Sequence, residues 1–210
     1  QKIADTSTSS ALKQLLKSKN EHFSDQQRRY LGNSTQQALA WCQKANMTLA
    51  NATSTNSGVA AAARDSARAT VRLWFAEDGL ADSVLDTYIA TLTTGFKKIV
   101  AMLNKGRFVV TDWVPFRGTA DADEIDFLNS EAFTFSANGE GMDVVYIESS
   151  FFTNDAGGVV HDQKNWTRII VHELSHLVVG TEDVVNGDAR YAWYGIGPHP
   201  GYPGSDCIRN

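Results

Sequence analysis

The sequence has few cysteines and no long apolar run, and these two absences exclude several classes of protein. The two cysteines, Cys42 and Cys207, do not belong to a CxxC pair, so we do not expect a zinc site built from thiolates. They could form one disulfide bond or remain two unrelated thiols. No apolar run approaches the ~20 residues that a membrane-spanning helix needs. The polar start, QKIADTSTSS, is not typical of a signal peptide, so we expect either a mature N-terminus or export without a cleaved signal.

The sequence also lacks any cluster of basic residues. Its net charge is −5 at pH 7, and the lysines and arginines form no run or stripe. Nucleic-acid binding is therefore not expected. With no apolar span either, we expect no membrane partner.

What is present is ordinary for a folded protein. Over 210 residues, 42% are hydrophobic and 20% are charged, which is enough for one domain or two tightly packed lobes. The character of the sequence changes after Gly106. We predict a helical N-terminal lobe, residues 1–105, and a second lobe, residues 106–210, that together make one compact unit. The predicted fold class is α+β.

Hydrophobic periodicity and capping residues locate the secondary structure. Helices are predicted over 11–19, from Ser24 to Tyr30, over 35–49, over 59–75, and from Asp82 or Ser83 to Lys105. After Gly106, residues rich in β-branched and aromatic side chains predict strands over 107–114, 132–136 and 142–148. The Asn138-Gly139 pair between the last two strands indicates a hairpin.

The stretch from Trp166 to Asp183 carries the chemistry. It contains His172-Glu173-Leu174-Ser175-His176, an HExxH motif. Two histidines four residues apart lie on one face of a helix, where both imidazoles can bind one metal ion. Glu173 stands beside such an ion rather than on it, where its carboxylate can take a proton from metal-activated water. The alternative is a chance motif on a buried helix, with its histidines merely hydrogen-bonded.

The residues just after this helix decide between the two interpretations. Gly180-Thr181-Glu182-Asp183 and Gly187 form GTEDVVNG. This segment resembles the GTxDxxYG motif that the aspzincin peptidases, meaning deuterolysins and peptidyl-lysine metalloendopeptidases, pair with HExxH. The resemblance implies one zinc ion bound by His172, His176 and Asp183, with Glu173 as the general base.

One position departs from the family pattern. Asn186 stands where the family usually has a tyrosine that steadies the transition-state oxyanion. Tyr191 or Tyr194 could supply a phenol in its place. Both belong to an aromatic, Gly- and Pro-rich stretch, residues 191–204, that could wall the substrate cleft.

The third ligand can also be considered from the residues themselves. The chain has no glutamate after Glu182, which excludes a distant downstream glutamate ligand. Another class of zinc site has the motif HExxHxxGxxH. It needs a glycine where this chain has Val179, although Glu182 stands at the position of that class's third ligand. The resemblance to GTxD ranks Asp183 first, with Glu182 second and Asp188 third. Neighbouring residues of an extended segment point in opposite directions, so only one of Glu182 and Asp183 should face the ion.

The resemblance implies a zincin-like, zinc-dependent endopeptidase acting on proteins or peptides, with lysine on the leaving side of the cleaved bond. The strand 142–148 is the candidate to pair with the substrate backbone. The resemblance also implies an acidic residue that binds the substrate lysine in a segment that would begin near Asn210, the last residue given, so we expect either a truncated or processed chain or a different specificity. We further expect a monomer that is secreted or delivered as an exported effector. Two alternatives are a non-catalytic zinc-containing interaction module and a zinc amidase acting on cell-wall peptides.

Overall fold

The computed structural model describes eight helices and strands and the short segments that adjoin them. The described residues are 23–53, 60–76, 79–105, 109–111, 131–134, 144–147, 150–153 and 162–181. The elements, in chain order, are α1 (Asp25–Thr53), α2 (Ala61–Phe75), α3 (Asp82–Lys105), β1 (Val109–Thr111), β2 (Ala132–Phe133), β3 (Val144–Ile147), α4 (Ser150–Thr153) and α5 (Gln163–Val179). Helices thus predominate beside a small mixed sheet, which confirms the α+β class.

Helix α1 is a single helix of 29 residues, so the prediction of two helices separated after Tyr30 was wrong. The predicted start is confirmed. The Ser24 hydroxyl accepts a hydrogen bond from the Gln27 N–H at 3.2 Å, and the Gln27 side chain accepts one from the Ser24 N–H at 2.9 Å. This reciprocal pair is a capping box.

The error in α1 came from Gly32, Asn33 and Ser34, which are weak helix formers. Tertiary packing outweighs that weakness, because Leu31 is fully buried in the main core. The buried Ser34 hydroxyl donates to the Tyr30 carbonyl at 2.8 Å and accepts from the Gln163 side chain of α5 at 2.8 Å. The polar segment therefore has its hydrogen bonds inside the fold and does not break the helix.

Helices α2 and α3 agree closely with their predicted ranges, and ion pairs join them. Arg68 contacts Asp86 at 2.6 Å and Asp82 at 3.1 Å, while Arg72 contacts Asp82 at 2.6 Å. The hydrogen bonds from Arg68 and Arg72 lower the pKa of the Asp82 carboxyl. Asp82 also lies in the first turn of α3, where a negative charge favours the helix dipole.

The sheet has the strand order β1-β3-β2. Strand β2 pairs antiparallel with β3, with Phe133 opposite Tyr146, as the hairpin prediction requires. Strand β1 pairs parallel with β3, with Val110 opposite Val145. Strand β3 is therefore hydrogen-bonded on both sides. The prediction that residues 142–148 offer a free edge to substrate was wrong for the described part of that strand.

Both faces of the sheet are covered, so β3 is buried along its whole length. Val110, Val145 and Ile147 join the main core with helices α1, α3 and α5. On the opposite face the Tyr146 ring stacks on Phe133, with ring centroids 5.0 Å apart. A strand buried on both faces is a continuous apolar run rather than an alternating one, as Val144–Ile147 is.

Cys42 lies in the main core and is a fully buried free thiol. Burial raises the pKa of its thiol to about 12, because the thiolate would lose its hydration. Cys207 and the predicted helix 11–19 lie outside the described residues. Because Cys42 is a free thiol, the structure favours two unrelated thiols over the disulfide. None of the described helices is both long enough and apolar enough to span a membrane.

Candidate metal centre

Helix α5 carries the HExxH motif, and side-chain and backbone groups define both of its ends. At the N-terminus the Asp162 carboxylate accepts hydrogen bonds from the N–H groups of Lys164 and Asn165, each at 2.9 Å. At the C-terminus Gly180 adopts the left-handed conformation, with φ of 80°. Its N–H donates to the carbonyls of Ser175 and His176. The predicted stop at Gly180 is confirmed, and the helix begins slightly before the predicted stretch.

One side of α5 is anchored in the main core. Trp166, Ile169, Ile170 and Leu174 are buried there, and Leu177 and Val178 pack against it. The apolar stripe predicted from the sequence is therefore the buried face. Because helices α1 and α3 and the sheet pack against this face, the core fixes the rotation of α5 about its axis. That rotation determines the direction in which the motif side chains point.

The side chains of the three motif residues come together on α5. The Nε2 atoms of His172 and His176 lie 3.1 Å apart, and their rings are nearly perpendicular, at 84°. An Oε1 atom of Glu173 lies 4.0 Å from Nε2 of His172. Possible ligand atoms of all three residues lie within 4.8 Å of one another. The histidines are half-buried, whereas Glu173 is only 4% exposed.

This arrangement fits a zinc ion. Two nitrogens bound to one tetrahedral zinc at about 2.0–2.1 Å would lie roughly 3.3–3.4 Å from each other. The observed 3.1 Å between the two Nε2 atoms is close to that separation. Facing nitrogens on two neutral imidazoles can share a cation, and histidine is a common zinc ligand.

Thr181 orients one of the two histidines. Nδ1 of His176 lies 2.6 Å from the Thr181 carbonyl oxygen. A carbonyl can only accept, so Nδ1 carries the proton and Nε2 keeps its lone pair for a metal. The Ser175 hydroxyl donates to the His172 carbonyl at 2.7 Å, so in its 2.6 Å contact with Ser175 the Thr181 hydroxyl is the donor. Thr181 thus connects the C-terminal end of α5 to the helical turns that carry the two motif histidines.

A second polar network, absent from the sequence predictions, fixes α5 against the sheet. Glu131, immediately before β2, accepts from the Asn165 amide at 3.1 Å and from the Arg168 guanidinium at 3.2 Å. Arg168 also donates to the Asn165 side-chain oxygen at 3.0 Å. Glu131 precedes Arg168 by 37 residues, and no local pattern marks such a distant pair.

Removal of Glu131 should destabilise the protein. The side chains of Arg168 and Glu131 are 17% and 23% exposed, so Glu131→Ala leaves a largely buried guanidinium without its carboxylate. We expect the free energy of unfolding to fall by about 1–3 kcal/mol in urea titrations. The exposed pair Arg64–Asp65, at 3.8 Å, supplies a control, because Asp65→Ala should change stability by less than about 1 kcal/mol. Equal effects of the two variants would contradict a structural role for the network.

Gly180→Ala should affect both stability and zinc affinity. A side chain at a φ of 80° is strained by about 1 kcal/mol, although a Cβ there meets no atom within 4 Å. The strained turn also displaces Thr181, so we expect zinc affinity to fall ~10–100-fold, as for other residues that orient metal ligands.

Gly79→Ala is the matched control for this variant. Gly79 has a φ of 79° and equally open surroundings, but it lies before α3, away from the motif. We expect the same loss of stability with unchanged zinc affinity. Zinc titration of both variants measures the difference, and equal zinc affinities would refute a role for the Gly180 turn in metal binding.

Several predicted site residues lie outside the described residues. These are the proposed third ligand Asp183, its alternatives Glu182 and Asp188, the substituted position Asn186, and the phenol candidates Tyr191 and Tyr194. Their roles stay predictions. Of the predicted site, the described structure brings together His172, Glu173 and His176.

Comparison with known families identifies one matching model. The aspzincin model, described as lysine-specific metallo-endopeptidase, matches residues 60–193. The match covers more than half of the chain, from α2 through the sheet and α5 to beyond Asp183. Comparisons with curated proteins and with solved structures found no significant match.

Proposed function

This chain belongs to the aspzincin family of metallo-endopeptidases, and from that premise we propose that it is a zinc-dependent endopeptidase with a zincin-like fold. The observation that carries the proposal is the pair of facing Nε2 atoms, 3.1 Å apart, with the Glu173 carboxylate beside them. The spacing suits one metal ion, and the carboxylate suits proton transfer next to it.

The proposed ligands are His172, His176 and Asp183. Three protein ligands leave a fourth tetrahedral position open, as catalytic zinc sites require. Zinc bound there would polarise the scissile carbonyl and lower the pKa of a coordinated water to about 7. Tautomer control by the Thr181 carbonyl keeps the His176 Nε2 available for this purpose.

Glu173 is the proposed general base and acid. Its carboxylate is almost fully buried and lies 4.0 Å from Nε2 of His172, so it stands beside the metal position. From there it takes a proton from the attacking water and returns it to the leaving amine. Tyr191 or Tyr194 would stabilise the oxyanion, since Asn186 cannot supply the family phenol.

We further propose that the cleaved bond has lysine on its leaving side and that the enzyme acts outside the cell. The lysine preference is supported by the description of the matching family. Glu182 and Asp188 are the acidic residues near the motif that are available to bind the ammonium group.

Metal removal and restoration test the activity. The protein is treated with a chelator, then supplied with zinc, and incubated with a denatured protein mixture whose new termini are identified by mass spectrometry. We expect cleavage to be lost on chelation, to return with zinc, and to leave lysine enriched after the cut. Zinc binding without any cleavage would instead support an interaction module, and cleavage without lysine enrichment would reject the lysine preference.

A further inference from the structure

A cavity of about 640 Å³ opens between α3 and α5 and reaches the motif. Its walls are mainly apolar, and they include Phe75, Leu92, Phe96, Ile99, Val171 and Val179. His172, Ser175 and Thr181 line the same cavity. Because His172 is a proposed zinc ligand, a group inside this cavity lies beside the bond to be cleaved. The size is within the ~300–1,000 Å³ typical of ligand sites.

Close packing of the two helices forms the floor of the cavity. Gly95 is buried in α3, and a Cβ at this position would lie 3.4 Å from Cγ1 of Val179 in α5. A larger residue would therefore separate the helices or fill the space between them. Thr91, one turn before Gly95, also lines the cavity and is exposed.

The described walls of the cavity offer no partner to a lysine ammonium group. None of the described lining residues carries a carboxylate, so an ammonium group inside would lose hydration without gaining a partner. An aromatic or large aliphatic side chain, in contrast, is stabilised inside the cavity, because its contact with water is unfavourable. The apolar surface of the described walls and their lack of a carboxylate therefore favour an uncharged side chain.

We propose that this cavity is a substrate subsite that binds a large apolar side chain, aromatic or aliphatic, on the acyl side of the scissile bond. The assignment deepens the proposed peptidase function and rests on it. Lysine on the leaving side needs an acidic subsite. The subsites on the two sides of the scissile bond therefore differ in chemistry, acidic on the leaving side and apolar on the acyl side. Binding an apolar side chain in such a site commonly changes kcat/KM by ~10–100-fold between large and small residues.

Two tryptophan substitutions on α3 test the subsite. Thr91→Trp places a large side chain in the cavity mouth. Thr94→Trp is the matched control, because Thr94 is equally exposed on α3 but does not line the cavity. Two quenched peptides are compared that have lysine on the leaving side and differ only in phenylalanine or alanine on the acyl side.

For wild type and Thr94→Trp we expect kcat/KM to be ~10–100-fold higher for the phenylalanine peptide. For Thr91→Trp we expect that ratio to fall to within about threefold of unity. Equal rates for both peptides in wild type would overturn the proposal, and so would a ratio unchanged by Thr91→Trp.

A binding measurement separates failure of the subsite from failure of the peptidase function. The zinc-loaded Glu173→Gln protein is titrated with the same two peptides by calorimetry. Tighter binding of the phenylalanine peptide, abolished by adding Thr91→Trp but not Thr94→Trp, would support the subsite even if wild type cleaved neither peptide. Equal binding of both peptides would refute it whatever the activity.

Discussion

Glu173→Gln should lower peptidase turnover by ~10²–10⁴-fold while zinc stays bound. Glutamine has nearly the same shape as glutamate but cannot accept the proton of the attacking water. The Glu173 side chain is 5% exposed, and its Oε1 atom lies 4.0 Å from Nε2 of His172, whereas the two Nε2 atoms lie 3.1 Å apart, so we expect its replacement to leave the two histidine ligands in place. Steady-state kinetics and zinc content, measured on the same preparation, check both halves of the expectation.

Glu131→Gln is the matched control for this substitution. It makes the same chemical change at a carboxylate that contacts α5 through Asn165 and Arg168, which are not part of the HExxH motif. We expect it to keep most of the activity. Turnover near the wild-type rate in zinc-loaded Glu173→Gln would rule out Glu173 as the proton acceptor, and loss of zinc in that variant would indicate that it is a ligand.

Asp183→Ala should lose zinc affinity and activity together, whereas Glu182→Ala should keep zinc. Residues that only orient ligands typically affect affinity ~10–100-fold, so loss of a direct ligand should exceed ~100-fold. The two residues are neighbours after Thr181, whose carbonyl accepts from His176 at 2.6 Å. Thr181 therefore lies next to the proposed metal position, and a short aspartate side chain suits a ligand whose backbone passes close to the ion.

Competition with a chromogenic chelator measures zinc affinity in this pair of variants. A crystal structure with zinc would add the Zn–O distance, expected at roughly 2.0–2.2 Å for Asp183. Wild-type affinity in Asp183→Ala together with weak binding in Glu182→Ala would reverse the assignment. It would also remove the main residue-level link to the GTxD motif.

Local sequence rules predicted the motif helix and its neighbours well. The stop at Gly180 follows from its conformational freedom at a φ of 80°, which a single residue type reveals. The approach of the His172 and His176 Nε2 atoms follows from their spacing of four on a helix. The apolar stripe of α5 and the ranges of α2 and α3 follow from a period of 3.6 residues. Each of these features depends on residues a few positions apart.

The features that local rules missed depend on residues distant in the chain. Helix α1 continues through Gly32 to Ser34 because burial of Leu31 and the bond from Gln163 to Ser34 outweigh weak propensity. Strand β3 is central rather than an edge because β1 pairs with it in parallel, and the local sequence does not record which partner a strand takes.

The sequence by itself therefore determined the α+β class, the C-terminal end of the HExxH helix and the identity of His172, Glu173 and His176 as candidate site residues, because periodicity, capping and spacing act over one or two helical turns. Tertiary structure alone decided the Glu131–Arg168–Asn165 network, the central position of β3, and the apolar cavity that ends at His172. Those features come from packing α5 against α3 and the sheet, and contacts between elements far apart in the chain leave no periodic signal.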